Sequence, residues 1–170
     1  MNAPARNAVE ITVTTSCDAW LDACPDAESL AERAACAALA AEPDEATDGP
    51  VLVGVVLTDD AEQRELNRTW RGKDSPTNVL AFALTNPDEK PPSGAPVLLG
   101  DVVLAFETVA REAAEQHKPL GDHLAHLVVH GVLHLLGFDH ESDAEAAIME
   151  AGETEILSRL GVPAPYADTM

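Results

Sequence analysis

The chain has 170 residues, 46% of them apolar, and a formal net charge of −20 from 30 acidic and 10 basic side chains. That length supports one domain over residues 1–170, with its own core and no disulfide staples, and so negative a charge argues against a protein that coats nucleic acid non-specifically. No apolar run approaches the ~18 residues of a membrane-spanning helix, the opening MNAPARNAVEITVTTS lacks the apolar stretch of a secretory signal, and Cys17, Cys24 and Cys36 form no C-x-x-C pair, so the chain reads as cytoplasmic, with reduced thiols and no membrane partner.

Val9–Thr15 (VEITVTT) alternates and is β-branched, which predicts a strand. Asp26–Ala41 carries Ala, Leu and Glu at helical spacing and stops before Pro43. Val51–Thr58 (VLVGVVLT) is a near-continuous apolar run, the pattern of a buried strand. Thr58 is placed to cap a helix from Asp59 to Trp70, with Glu62 in its first turn. Thr77–Leu84 is a third strand, Asn86–Gly94 (NPDEKPPSG) a loop, and Leu98–Ala105 (LLGDVVLA) a fourth strand. Helices follow over Phe106–His117, Asp122–Leu136 and Ser142–Leu160, the last opening on the capping box Ser142-x-x-Glu145. Residues 161–170 read as a loose tail. The order βαβαββααα predicts an α+β fold of mixed α/β layers, a four-stranded sheet covered by about five helices.

One stretch carries chemistry. HGVLHLLGFDH, from His130 to His140, holds three of the six histidines. His130 and His134 are four apart, on one face of a helix. Gly137 can end that helix in a left-handed conformation, and His140 can return from the turn to the same point. Three imidazoles with an open fourth position are the layout of a catalytic zinc site, one ion per chain. The spacing H-x-x-x-H-x-x-G-x-x-H is shared with metzincin proteases, except that their general-base glutamate is replaced here by Gly131. On helix propensity alone a glutamate at 131 would be accommodated. Of the other histidines, His126 suits packing or support of a ligand, His123 lies a turn further off, and His117 sits at a helix C-terminus, where it meets the dipole.

The basic residues are concentrated as well. Arg64, Arg68, Arg71 and Lys73 fall within ten residues. Arg64 and Arg68 suit a solvated helix face. Arg71, beside Gly72 at the helix end, can reach across a cleft to hold a phosphate bidentately.

Taken together, HGVLHLLGFDH, LNRTWRGKDSPTNVLAF (Leu66–Phe82) and LLGDVVLA resemble the YbeY family of bacterial endoribonucleases, the rRNA maturation factors, over Val51–Leu160, about two thirds of the chain. Asn78 and Ala81 stand where many members have Asp and Ser. The resemblance implies a zinc hydrolase that cuts single-stranded RNA and acts in maturation of the 16S rRNA precursor and in quality control of the small ribosomal subunit. It makes His130, His134 and His140 the zinc ligands and Arg71 the catalytic arginine. With no carboxylate at Gly131, the base is another group such as Asp139, or the RNA 2′-hydroxyl attacks. The alternatives are a metzincin-like metalloprotease and a non-enzymatic ribosome-associated factor with structural zinc.

Overall fold

The computed structural model describes residues 9–41, 50–72, 77–84, 95–138 and 142–163, with the backbone alone at Arg71. The predicted 86–94 loop, Lys73, Asp139, His140 and most of the predicted tail lie outside the described residues.

Four strands, β1 (Val9–Thr15), β2 (Val51–Thr58), β3 (Val79–Ala83) and β4 (Val97–Ala105), form one sheet in the order β1-β2-β4-β3. β1, β2 and β4 run parallel, and β3 pairs antiparallel with β4. β2 has a strand on each side and buries Val51, Val53, Val55 and Leu57, with Leu52, Gly54 and Val56 half-buried between them, so its sequence is apolar almost throughout. The helices are α1 (Ala19–Ala23), α2 (Ala27–Ala41), α3 (Asp60–Arg71), α4 (Phe106–Glu115), α5 (Leu120–Leu135) and α6 (Asp143–Arg159). The α+β architecture is thus as the sequence predicts, with six helices among the described residues rather than five. The additional one, α1, is a five-residue helix whose length is too short for a periodic signal. It is held by Trp20, which is buried, donates from Nε1 to the Thr58 carbonyl at 2.8 Å and meets Phe106 edge-on at 5.3 Å.

The cap of α3 also differs from expectation. Asp59, in extended conformation, accepts from the Glu62 amide at 2.8 Å and is the N-cap. Thr58 instead ends β2, and its hydroxyl donates to the Glu62 carboxylate at 2.7 Å. A carboxylate is the stronger acceptor for orphan helix amides, and the strand register already commits Thr58 to the sheet. At α6 Ser142 is the N-cap as predicted, its Oγ accepting from the Glu145 amide at 3.1 Å.

α2 presents Ala27, Ala31, Ala34, Ala35 and Ala38, all fully buried, along one face. Such small side chains let it lie close against α5. α5 also covers β3 and β4 and packs against α6. Ten of its sixteen residues are buried, His123 among them, whereas His126, His130 and His134 occupy positions that are only partly buried. The three cysteines are free thiols; burial and the neighbouring Asp26 push the Cys24 thiol up to about 11, so it stays protonated and inert. Among the described residues no helix is long and apolar enough to cross a membrane.

Candidate metal centre on helix α5

His130 and His134 both lie on α5, four residues apart and each partly exposed. The helix ends as its sequence predicts. Gly137 has φ of 104°, a value glycine adopts without strain, and the amides of Gly137 and Phe138 close on the carbonyls of His134 and Leu133 at 3.0 and 3.1 Å. The chain therefore turns sharply after His134. His140, the third histidine of the motif, lies outside the described residues, and among those described no three His, Cys, Asp or Glu side chains converge on one point.

The structure adds a group that no local pattern signals. Glu153, from α6, is completely buried. Its two carboxylate oxygens take two rings of α5: Oε2 lies 2.7 Å from His130 Nδ1 and Oε1 lies 2.8 Å from His126 Nε2. A carboxylate only accepts, so the shared proton belongs to each ring nitrogen. With Nδ1 of His130 carrying the proton, Nε2 on the opposite edge of the ring keeps a lone pair, the donor through which an imidazole can bind a metal. A carboxylate behind a liganding imidazole is the usual support of such a ligand, fixing tautomer and ring plane. His126, read from sequence as packing or support, belongs to this arrangement through Glu153. The two partners are 23 residues apart, on different helices, and no local spacing connects them.

The other histidines lie outside this arrangement. His123 is buried, with Nε2 3.0 Å from Glu112 Oε1, and desolvation holds its pKa below the ordinary value despite that carboxylate. Glu112 also accepts from the Asn78 amide at 3.0 Å, tying α4 to the start of β3. His117 has φ of 57° just past the end of α4.

Gly131 is a packing residue. A Cβ placed there would lie 2.7 Å from one methyl of Val102 and 3.1 Å from the other. Valine is stiff at χ1 and cannot swing aside. The position thus faces β4 at close approach, and glutamate has no room there, contrary to the expectation from helix propensity. Gly131→Ala should lower stability by about 1–2 kcal/mol by denaturant melts, because overpacking of roughly 1–3 kcal/mol exceeds the helix gain of at most ~1 kcal/mol. Equal or raised stability would show that the helix can back away from the sheet.

His134 opens onto a cavity of about 570 Å³ lined also by Leu66, Trp70, Phe82, Leu84 and Asp101. Arg64 and Arg68 are exposed on α3, as expected of a solvated face, with Arg68 paired to Glu65 one turn earlier. Arg71 is the last residue of α3, directly after Trp70; its side chain lies outside the described residues.

The profile of the family described as Endoribonuclease YbeY matches residues 22–161. The chain belongs to the YbeY family. Endoribonuclease YbeY of Paramagnetospirillum magneticum is 55% identical over 161 residues, 94% of this chain and 97% of the relative. Endoribonuclease YbeY of a Bradyrhizobium species is 54% identical over 157 residues, covering 92% and 91%. A Thermotoga maritima protein of known solution structure is similar in fold, with a TM-score of 0.53, 26% identity and coverage of 94% and 97%. The family match takes in α2 through α6, and so both the α5 histidines and Glu153.

Proposed function

We propose that this protein is a zinc-dependent endoribonuclease that cuts single-stranded RNA, acting in the cytoplasm on the 16S rRNA precursor of the small ribosomal subunit and in ribosome quality control. Family membership over most of the chain supports the nuclease chemistry. The observation that carries the metal is the pairing of His130 Nδ1 with the buried Glu153 carboxylate. A ring held in that way is prepared as a ligand. His130, His134 and His140 would hold one zinc ion, and the donor set of imidazoles suits that metal. Bound there, zinc supplies Lewis acidity towards a phosphate oxygen and the attacking hydroxyl.

The chain's own residues do the rest. Glu153 holds the His130 ring at one angle and is itself steadied by His126. Arg71 neutralises charge that grows on the phosphate as the new bond forms. No proton is taken at position 131, because it bears no side chain and faces Val102. That observation also weighs against a metalloprotease, whose base would stand there.

The test uses purified protein with its native metal content. It should carry about one zinc per chain by elemental analysis and cleave an unstructured oligoribonucleotide. Chelation should abolish cleavage and added zinc restore it, and an unstructured peptide should stay intact. Peptide cleavage without RNA cleavage would establish the protease instead. Full zinc occupancy with RNA bound but never cut would establish the non-enzymatic ribosome factor.

A further inference from the structure

The cavity beside His134 has an unusual wall. Trp70 is 71% exposed and Leu84 57%, two of the largest exposed apolar side chains in the described chain. Single exposed apolar residues are ordinary, but these two share one cavity with Leu66, Phe82 and His134. The contrast with Trp20 is informative. That indole is fully buried and hydrogen-bonded, whereas Trp70 contributes little to the core.

The cavity is lined from both faces of the sheet. Val102 faces α5, as its contact with Gly131 requires. Val103 and Asp101, one residue either side, therefore point the other way, towards Leu66 and Trp70 of α3. His134, on α5, closes the far end. The cavity accordingly follows the edge strand β3 from α3 round to the candidate metal ligands.

Its chemistry selects the occupant. The walls are aromatic and aliphatic, and the floor carries one carboxylate, Asp101, seated over Gly54. The Asp101 backbone is taken up by the sheet, between β2 and β3, but its carboxylate makes no hydrogen bond or ion pair among the described residues. A carboxylate and apolar walls repel a phosphate, yet they suit the face of a planar base and accept from its N–H groups. We infer that Trp70 is the platform of a nucleobase subsite, where an unpaired base of the RNA substrate stacks beside the cleavage centre. This rests on the nuclease reading and deepens it. A base inside a duplex has both faces covered by its neighbours, so only an unstacked base can seat on the indole. The subsite thus supplies a physical source for single-strand preference.

The test compares wild type with Trp70→Ala, Trp70→Leu and Trp70→Phe on an unstructured oligoribonucleotide. Because Trp70 is mostly exposed, zinc content and melting temperature should match wild type in all three. Trp70→Ala and Trp70→Leu should weaken RNA binding, read as Kd by anisotropy and as KM, by about tenfold or more, while kcat changes less. Trp70→Phe should remain within about threefold, since it keeps a π-face. RNA should also quench the wild-type tryptophan fluorescence. The quench should vanish in Trp70→Phe, because Trp20 is buried. The proposal is overturned if Trp70→Ala binds RNA as wild type does, or if leucine serves as well as phenylalanine. Quenching by an unstructured peptide and not by RNA overturns it too, in favour of a peptide groove. A wild type that neither binds nor cuts RNA removes the nuclease reading and this subsite together, an outcome distinct from all the others.

Discussion

Replacing His134 by alanine should leave a folded protein that no longer holds zinc. His134 lies at the wall of a cavity and not in the core, so the metal-free variant should melt close to metal-free wild type. Structural zinc in small folds is worth roughly 10–16 kcal/mol from about four ligands, or about 2.5–4 kcal/mol each, so losing one of three imidazoles should weaken affinity by about a hundred- to a thousandfold. Two readouts check this. Elemental analysis after dialysis should find zinc in wild type only. Added zinc should raise the melting temperature of wild type and not of the variant, because a ligand stabilises only a state that binds it. Glu153→Gln should give a graded result. It keeps the shape and one acceptor oxygen but loses the charge behind the His130 ring, and loss of such a support weakens metal binding by about ten- to a hundredfold. Stoichiometric zinc should therefore return at high metal concentration in Glu153→Gln and never in His134→Ala. Wild-type zinc retention in His134→Ala would remove that residue from the ligand set. Unchanged affinity in Glu153→Gln would leave its carboxylate a purely structural group.

The difference between those two variants parallels what the sequence could and could not disclose. Ligand spacing is local. His130, His134 and Gly137 share one helix and its end, and the period of the helix fixes their relation. Glu153 is a long-range partner. α6 carries acids around most of its circumference, and only the burial of residue 153 separates it from Glu145, Glu150 and Glu155. Composition cannot see that distinction, because the burial comes from the docking of α6 on α5. Gly131 shows the converse. From sequence it registers as a missing catalytic base, whereas its absent side chain is what lets α5 approach β4. Trp70 sat in plain view within a recognisable block, and its exposure became informative only once the sheet edge and α5 stood around the same cavity. The strands themselves were legible from their apolar runs. Their order was not, since the parallel pairing of β2 with β4, across the chain that forms β3, is a tertiary choice.

Arg71→Glu should keep zinc and fold yet lose at least about a hundredfold in RNA cleavage, the scale on which a single donor to developing charge acts. The position motivates this independently of the side chain. Gly72, with φ of 71°, caps α3 by donating to the carbonyls of Arg68 and Asn67, so the helix end is fixed in place. The turn before it supplies Leu66 and Trp70 to the cavity that ends on His134. A substitution here should therefore act on the substrate and not on the ion. Arg71→Lys separates two components of that action. Lysine keeps the charge and loses the planar fork that grips two phosphate oxygens. If charge alone matters, Arg71→Lys should cleave near the wild-type rate. If the bidentate grip orients the phosphate, kcat should fall by about tenfold or more with RNA affinity little changed, since a monodentate contact holds the ground state nearly as well but not the transition state. We expect the second result. Trp70→Ala should have the reverse signature, weakened binding with kcat less affected, so the two neighbours on α3 would divide between them the seating of the base and the stabilisation of the reacting phosphate. Loss of zinc or of folding in Arg71→Glu would instead make Arg71 a structural residue, and wild-type cleavage by Arg71→Glu would remove it from the reaction altogether.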